Sequence, residues 1–307
     1  MRFSEALEGF WLAKKRGYST HTVADYSLTF RRFRLFVGDA DVAGLVADDI
    51  RRFLDAMQNR YELGNKTLCN YWVALSAFWT WAEVELGIDH IIRNRVARPQ
   101  FQRRRIAPYR QEEVEAMLAA TGKATAWRTS TGRMTRSKRP TADRDRAIIV
   151  TLVDTGLRAS ELCALHLEDY DQERGSLYVE RGKGDKERLV YVGDSAKRAL
   201  WRYLLSRRDA GAKEPLFVSG SGRALDRNNL RQTLQRIGER AGVRGVTVHR
   251  FRHTYAITFL RNGGNPLVLQ ELLGHEKLET VRVYVALAAI DLENAQRASS
   301  PADGWDL

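Results

Sequence analysis

Two short stretches concentrate the reactive side chains of this 307-residue chain. "VHRFRHTYAITFLRNGG" (248–264) holds His249, Arg252 and His253, and "LLGHEKLETVRVYVAL" (272–287) holds His275 and, nine residues later, Tyr284. His249 and His253 stand at i and i+4 of an expected helix, a spacing that can grip zinc. A zinc peptidase places a glutamate after its first histidine, whereas "HRFRH" has arginine and phenylalanine there, and a cation beside a metal ion is electrostatically wrong. No metal and no cofactor are therefore expected. Standing alone, these would read as ordinary packed or surface histidines. They do not stand alone: Arg158 lies in "TGLRASEL" and Lys183 in "RGKGDKER". Arginine forks match two phosphoryl oxygens at once, so arginines, a lysine, imidazoles and a phenol together suit a phosphate ester.

Those residues need elements to hold them. Residues 1–92 read as helices only, with Ser4 as the expected cap of the first and "STHTVADYSLTFRRFRLFVG" as the second, closed by Gly38. "VADDIRRFLDAM" and "NKTLCNYWVALSAFWTWAEVELG" supply two more, and the aromatics of the last (Tyr71, Trp72, Phe78, Trp79, Trp81) are expected in a core. "RNRVARPQFQRRRIAPYR" (93–110) then has seven arginines, two prolines and no acid, and reads as an extended linker lying against something anionic. From 109 the pattern is again mostly helical. A basic, acid-free insertion at 122–142 reads as a mobile loop, "RDRAIIVTLVDTG" and "ASELCALHLEDY" as helices, and "GSLYVERGKGDKERLVYVG" as a β-hairpin. Further helices are expected over roughly 194–209, 227–241, 249–262, 266–273 and 277–292.

Charge agrees with a phosphate-rich partner. Lys plus Arg number 50 against 38 acids, giving +12 and a pI near 9.9. The N-terminus carries acids and no apolar secretion segment, and no run of about 18 apolar residues occurs, so no membrane partner and a cytoplasmic, nucleoid-associated location are expected. Cys69 and Cys163 sit inside helical patterns and suit buried thiols rather than a disulfide.

An arginine in a TGLR-S-EL box, a lysine in a GKG hairpin turn, H-x-x-R opening a helix, LLGH and a tyrosine nine residues on occur here in order. This set resembles the tyrosine recombinases, the phage integrase and Xer family, in its compact Xer-like form. The resemblance implies a mainly α fold forming a two-domain C-shaped clamp. An all-helical, SAM-like core-binding domain (1–92) and an Arg-rich linker (93–108) would precede a mostly helical catalytic domain with a small antiparallel β-sheet (109–290). A tail (291–307) would follow, packing in a neighbouring protomer or back on its own domain. It further implies Arg158, Lys183, His249, Arg252, His275 and Tyr284 as the catalytic set, Tyr284 being the nucleophile. Lys186 is the rival of Lys183, Glu161 has a supporting role, and His253 and Tyr255 read as structural. Tyr284 would form a 3′-phosphotyrosyl bond, needing neither ATP nor metal, and exchange would pass through a Holliday junction in a tetramer.

The implied partners are double-stranded recombination sites, a homo-tetramer or a hetero-tetramer with a related recombinase, and accessory proteins. Arg31, Arg32, Arg34, Arg103, Arg104, Arg105, Arg227 and Arg231 are the expected DNA contacts. Two rival readings are a type IB topoisomerase-like enzyme, which rejoins the original strand, and a DNA-binding protein without catalysis. The insertion at 122–142 departs from the housekeeping pattern and favours a mobile-element or archaeal-like recombinase.

Overall fold

A computed structural model describes residues 1–101, 107–122, 127–128, 134–135, 139–180, 187–274 and 278–288. The chain divides into two compact units, Met1–Arg104 and Arg105–Leu307.

The first unit is built from α1 (Phe3–Lys14), α2 (Thr20–Val37), α3 (Ala47–Asn59) and α4 (Asn65–Glu85). Its core is aromatic: Phe3, Phe10, Phe30, Phe33, Phe53, Phe78 and Trp79 are all buried. The rings meet edge to face, as Phe10 with Phe30 (5.4 Å, 86°) and Phe33 with Phe53 (5.1 Å, 84°), the arrangement their quadrupoles favour. Tyr71, Phe78, Trp79 and Trp81 of α4 are in this core, and the Trp72 indole, packed against it, donates to the Val96 carbonyl. Ser19 caps α2 by accepting from the Thr22 amide, and Gly38 ends it with φ +69°. Ser4 does not cap α1. The cap position is Arg2, and Ser4 instead bonds Asp39 through both its amide and its hydroxyl (2.8 Å each), pinning α1 to the end of α2.

The second unit contains α5 (Gln111–Gly122), α6 (Ala142–Thr155), α7 (Ala159–Ala164), α8 (Asp194–Leu204), α9 (Arg227–Ala241), α10 (Val248–Arg261), α11 (Pro266–Leu273) and α12 (Leu278–Ala288). Two-residue strands β1 (Trp127–Arg128) and β2 (Met134–Thr135) pair antiparallel inside the insertion expected to be a mobile loop. The expected hairpin is present as β4 (Ser176–Val179) and β5 (Arg188–Tyr191), with Leu177 opposite Val190. A third strand, β3 (Tyr170–Asp171), adds to β4.

That third strand corrects the helix expected over "ASELCALHLEDY". The helix stops at Ala164 because the next residues pair elsewhere: the Leu165 carbonyl accepts from Leu216 (2.7 Å), and the Leu167 amide donates to Glu214 (2.9 Å). Tertiary hydrogen bonds replace the helical ones. The main core packs α5, α6, α8 and α9 around the sheet through Ile148, Leu152, Leu177, Leu200 and Leu234. A smaller cluster of Ala256, Ile257, Leu260, Leu269, Leu273, Val281 and Tyr284 joins α10, α11 and α12. No helix among the described residues is long and apolar enough to cross a membrane.

Candidate active site

The "TGLR" turn is shaped by its glycine. Gly156 ends α6 at φ +61°, and a Cβ there would stand 2.6 Å from the Tyr255 ring and 3.0 Å from Leu273, so both the backbone and the space require glycine. The chain then enters α7 with Arg158 at the cap position. α11 likewise ends at Gly274, φ +64°. Two helix C-termini are thus turned toward the same place. Their unpaired carbonyls carry the negative end of each helix dipole, which favours cations.

Arginines occupy those carbonyls. Arg252, only 3% exposed, donates to Gly156 O (2.9 Å) and Leu273 O (2.7 Å); Arg158 donates to Gly274 O (3.2 Å); Arg188 of β5 donates to Leu272 O (2.7 Å). Three successive carbonyls at the end of α11 each hold a different arginine. Glu161, buried in α7, binds two of them: Arg158 at 2.6 Å and Arg188 at 3.1 and 2.9 Å, with a further bond from the Arg158 amide (2.8 Å). Burial alone would raise the Glu161 carboxyl. The hydrogen bonds and charge of Arg188, then of Arg158, outweigh it and hold the carboxyl down from 4.5 to about 2.

A lowered carboxyl stabilises the fold above its unfolded value, and the stabilisation disappears as pH falls through the folded one. At pH 7 this linkage is worth about 3 kcal/mol, lost between pH 4.5 and about 2. Glu161→Gln is therefore expected to be destabilised at neutral pH, and its gap from the wild type to narrow below about pH 4. Urea melts of both proteins at pH 7, 4 and 3 check this; a constant gap would contradict it.

Tyr284 of α12 is 3% exposed. Burial raises its phenol above the ordinary 10.0, while the charges of Arg252 and Arg158 and a hydrogen bond with the Arg252 side chain pull it back. Burial also leads in Arg252, lowered to about 10, with Arg158 adding repulsion; it remains a cation at neutral pH. On α10, Thr247 caps the helix by accepting from the Arg250 amide, which sets His249 in the first turn. Burial, and then Arg252, lower His249, which favours its neutral imidazole. His249 Nε2 lies 3.0 Å from His253 Nε2, and the His253 ring meets the Tyr284 ring edge-on at 5.1 Å. Burial, His249 and Arg252 push His253 down to about 4.

Of the expected catalytic residues, the fold gathers Arg158, His249, Arg252 and Tyr284. Lys183, its rival Lys186 and His275 lie outside the described residues, as do Arg103, Arg104, Arg105 and the tail. Arg31, Arg34, Arg227 and Arg231 are exposed. Arg32 is turned toward its own unit, its guanidinium over the Tyr61 and Tyr71 rings (6.0 and 5.8 Å) and bonded to the Tyr71 hydroxyl. Tyr255 is packed against Phe259 and raised to about 12, chiefly by burial, as suits a structural tyrosine. Arg188 has no local signal beyond its place in the hairpin, and His253, expected to be structural, stands between His249 and the Tyr284 ring.

Comparison with known proteins agrees with this geometry. Residues 109–290 match the model of the phage integrase family, and residues 7–85 that of the phage integrase N-terminal SAM-like domain. The chain belongs to the phage integrase family, the site-specific tyrosine recombinases. It is 33% identical over 284 residues to the tyrosine recombinase XerA of Thermococcus kodakarensis, covering 91% of this chain and 89% of that protein. To the tyrosine recombinase XerD of Mycobacterium tuberculosis it is 30% identical over 306 residues, covering 94% of each. In fold it resembles a Tn1549 transposon integrase in complex with a circular intermediate DNA (TM-score 0.72, 20% identity, 92% and 95% covered). A lambda integrase dimer bound to a COC' core site is similarly close (TM-score 0.71, 18% identity, 91% and 96% covered).

Proposed function

We propose that this recombinase cuts and rejoins duplex DNA with Tyr284 as the nucleophile. The observation that carries the assignment is the buried Tyr284 hydroxyl bonded to Arg252, which is itself braced beside Arg158. The phenol oxygen attacks a backbone phosphorus, the Tyr284 O–P bond forms, and the P–O5′ bond breaks, leaving a 3′-phosphotyrosyl enzyme and a 5′ hydroxyl. Each arginine has five donors, so those not spent on carbonyls can meet the phosphoryl oxygens as charge shifts. His249, its neutral form favoured by burial, takes the phenol proton, and Lys183, from the hairpin turn, gives a proton to the leaving oxygen. His275 adds a donor to the phosphate. The bond energy stays in the phosphotyrosyl link, so rejoining needs no nucleotide.

Two such exchanges, by way of a Holliday junction in a tetramer of this chain or with a related recombinase, complete recombination. The helical unit, the Arg-rich segment 93–108 and the unit from 109 would grip the duplex together, using exposed Arg31, Arg34, Arg227 and Arg231. The test is a nicked suicide duplex carrying candidate sites from the flanking genome, incubated with the protein in EDTA. A protein–DNA band that survives denaturant supports the reading. Relaxation of supercoils by a monomer without exchange would favour a topoisomerase, and DNA binding without any band, even with a partner recombinase added, would sink the cleavage assignment.

A further inference from the structure

A cavity of about 220 Å³ opens beside α9, and none of Arg158, His249, Arg252 and Tyr284 lines it. Arg139, Arg236 and Arg240 do, with Asn229, Thr233 and Ser219 as neutral polar company. The one carboxylate among its described lining residues, Asp145, is already taken. It is held by Arg144 Nε (2.9 Å) and Nη2 (2.5 Å), while Arg144 Nη1 donates to the Val218 carbonyl (2.8 Å), so that pair is internally satisfied. Three guanidinium groups therefore face the cavity, and the single carboxylate beside them, Asp145, is hydrogen-bonded to a fourth arginine, Arg144.

They are close enough to feel one another. After burial, the positive charge of Arg139 is the next cause that lowers Arg240, and Arg236 adds to it, against an opposing pull from Asp145 and Glu239. Arg139 Nε is also sealed from solvent with no acceptor, an unsatisfied donor in a place where native proteins rarely leave one. An anion in the cavity answers both conditions at once. A tetrahedral phosphate oxyanion has the charge and the several acceptors that converging arginines require.

We propose that Arg139, Arg236 and Arg240 form a second phosphate site, separate from the cleavage cluster, that takes a backbone phosphate of the bound duplex. The inference rests on the DNA reading above. α9 contributes two of the three arginines, on a face roughly opposite to the one that exposes Arg227 and Arg231.

The test uses the full chain and a fluorescein-labelled 30-base-pair duplex of arbitrary sequence, with affinity measured by anisotropy across a KCl series. Wild type is compared with Arg139→Gln/Arg236→Gln and with an equal-charge control, Arg174→Gln/Arg208→Gln. Each phosphate contact contributes about 0.9 to the slope of log K against log salt. The site pair is expected to lower that slope by about one and to weaken binding several-fold at low salt, with its melting temperature and the control's slope unchanged. An unchanged slope in the site pair, or an equal drop in the control, would overturn the site. Thermal protection of wild type by inorganic phosphate, lost in the site pair while the DNA slope stays put, would reassign it to a free anion. A wild type that bound no duplex would overturn the DNA reading itself, and this site with it.

Discussion

Tyr284→Phe is expected to abolish the covalent protein–DNA band, a loss of roughly 10⁴-fold or more in cleavage, because the nucleophilic oxygen is gone and nothing can substitute for it in place. The substitution is also mild for the fold. Phenylalanine keeps the ring among Ile257, Leu269, Leu273 and Val281 and its edge contact with His253, and it removes the one hydroxyl held by Arg252. Stability should change by about 1 kcal/mol or less, the scale of one hydrogen bond. The two measurements separate chemistry from folding. DNA affinity by anisotropy should stay near the wild type while the band disappears. A band that persisted in Tyr284→Phe would transfer the nucleophile elsewhere, and Tyr255, whose phenol burial raises to about 12, would be a poor candidate.

Arg252→Lys comes next in size. The change keeps one positive charge but replaces a planar fork with a point donor that cannot reach the Gly156 and Leu273 carbonyls and Tyr284 together. Losing a fixed donor at a charge-bearing transition state costs about 10²–10³ in rate, and single-turnover cleavage should fall by that amount. The Tyr284 phenol should rise further, since the Arg252 side-chain hydrogen bond that opposes the effect of burial on it is lost. Two buried carbonyls lose their donors as well, so a destabilisation of about 1–3 kcal/mol accompanies the rate effect. Cleavage measured below the melting transition, with duplex affinity in parallel, isolates the first from the second. A rate within tenfold of wild type would show that Arg252 serves the fold and not the phosphate.

Local patterns were legible from sequence because they depend on near neighbours. The periodicity of α2, its end at Gly38, the β4–β5 hairpin and the aromatic face of α4 all follow from residues within a few positions of one another. The same holds for the order of the motifs that carry Arg158, Arg252 and Tyr284. Where a residue had a competing partner far along the chain, the local reading failed. Ser4 was expected to cap a helix and instead bonds Asp39, and the helix after Ala159 was expected to run on but yields at Leu165 to pairing with Leu216.

The chemistry of the cluster belongs to that second kind. Sequence determined which side chains are present: arginines, histidines and a tyrosine at family spacing, on a chain charged +12. Only the tertiary structure decided what each is doing. Arg252 reaches Gly156 across 96 positions and Arg158 reaches Gly274 across 116, so no window of sequence could show that two helix ends anchor the cations. The Arg188–Glu161 brace and the place of His253 between His249 and Tyr284 were settled in the same way. The physical reason is that burial and long-range carbonyl partners set the orientation and the proton affinity of these groups, and both exist only once α6, α10, α11 and α12 have packed.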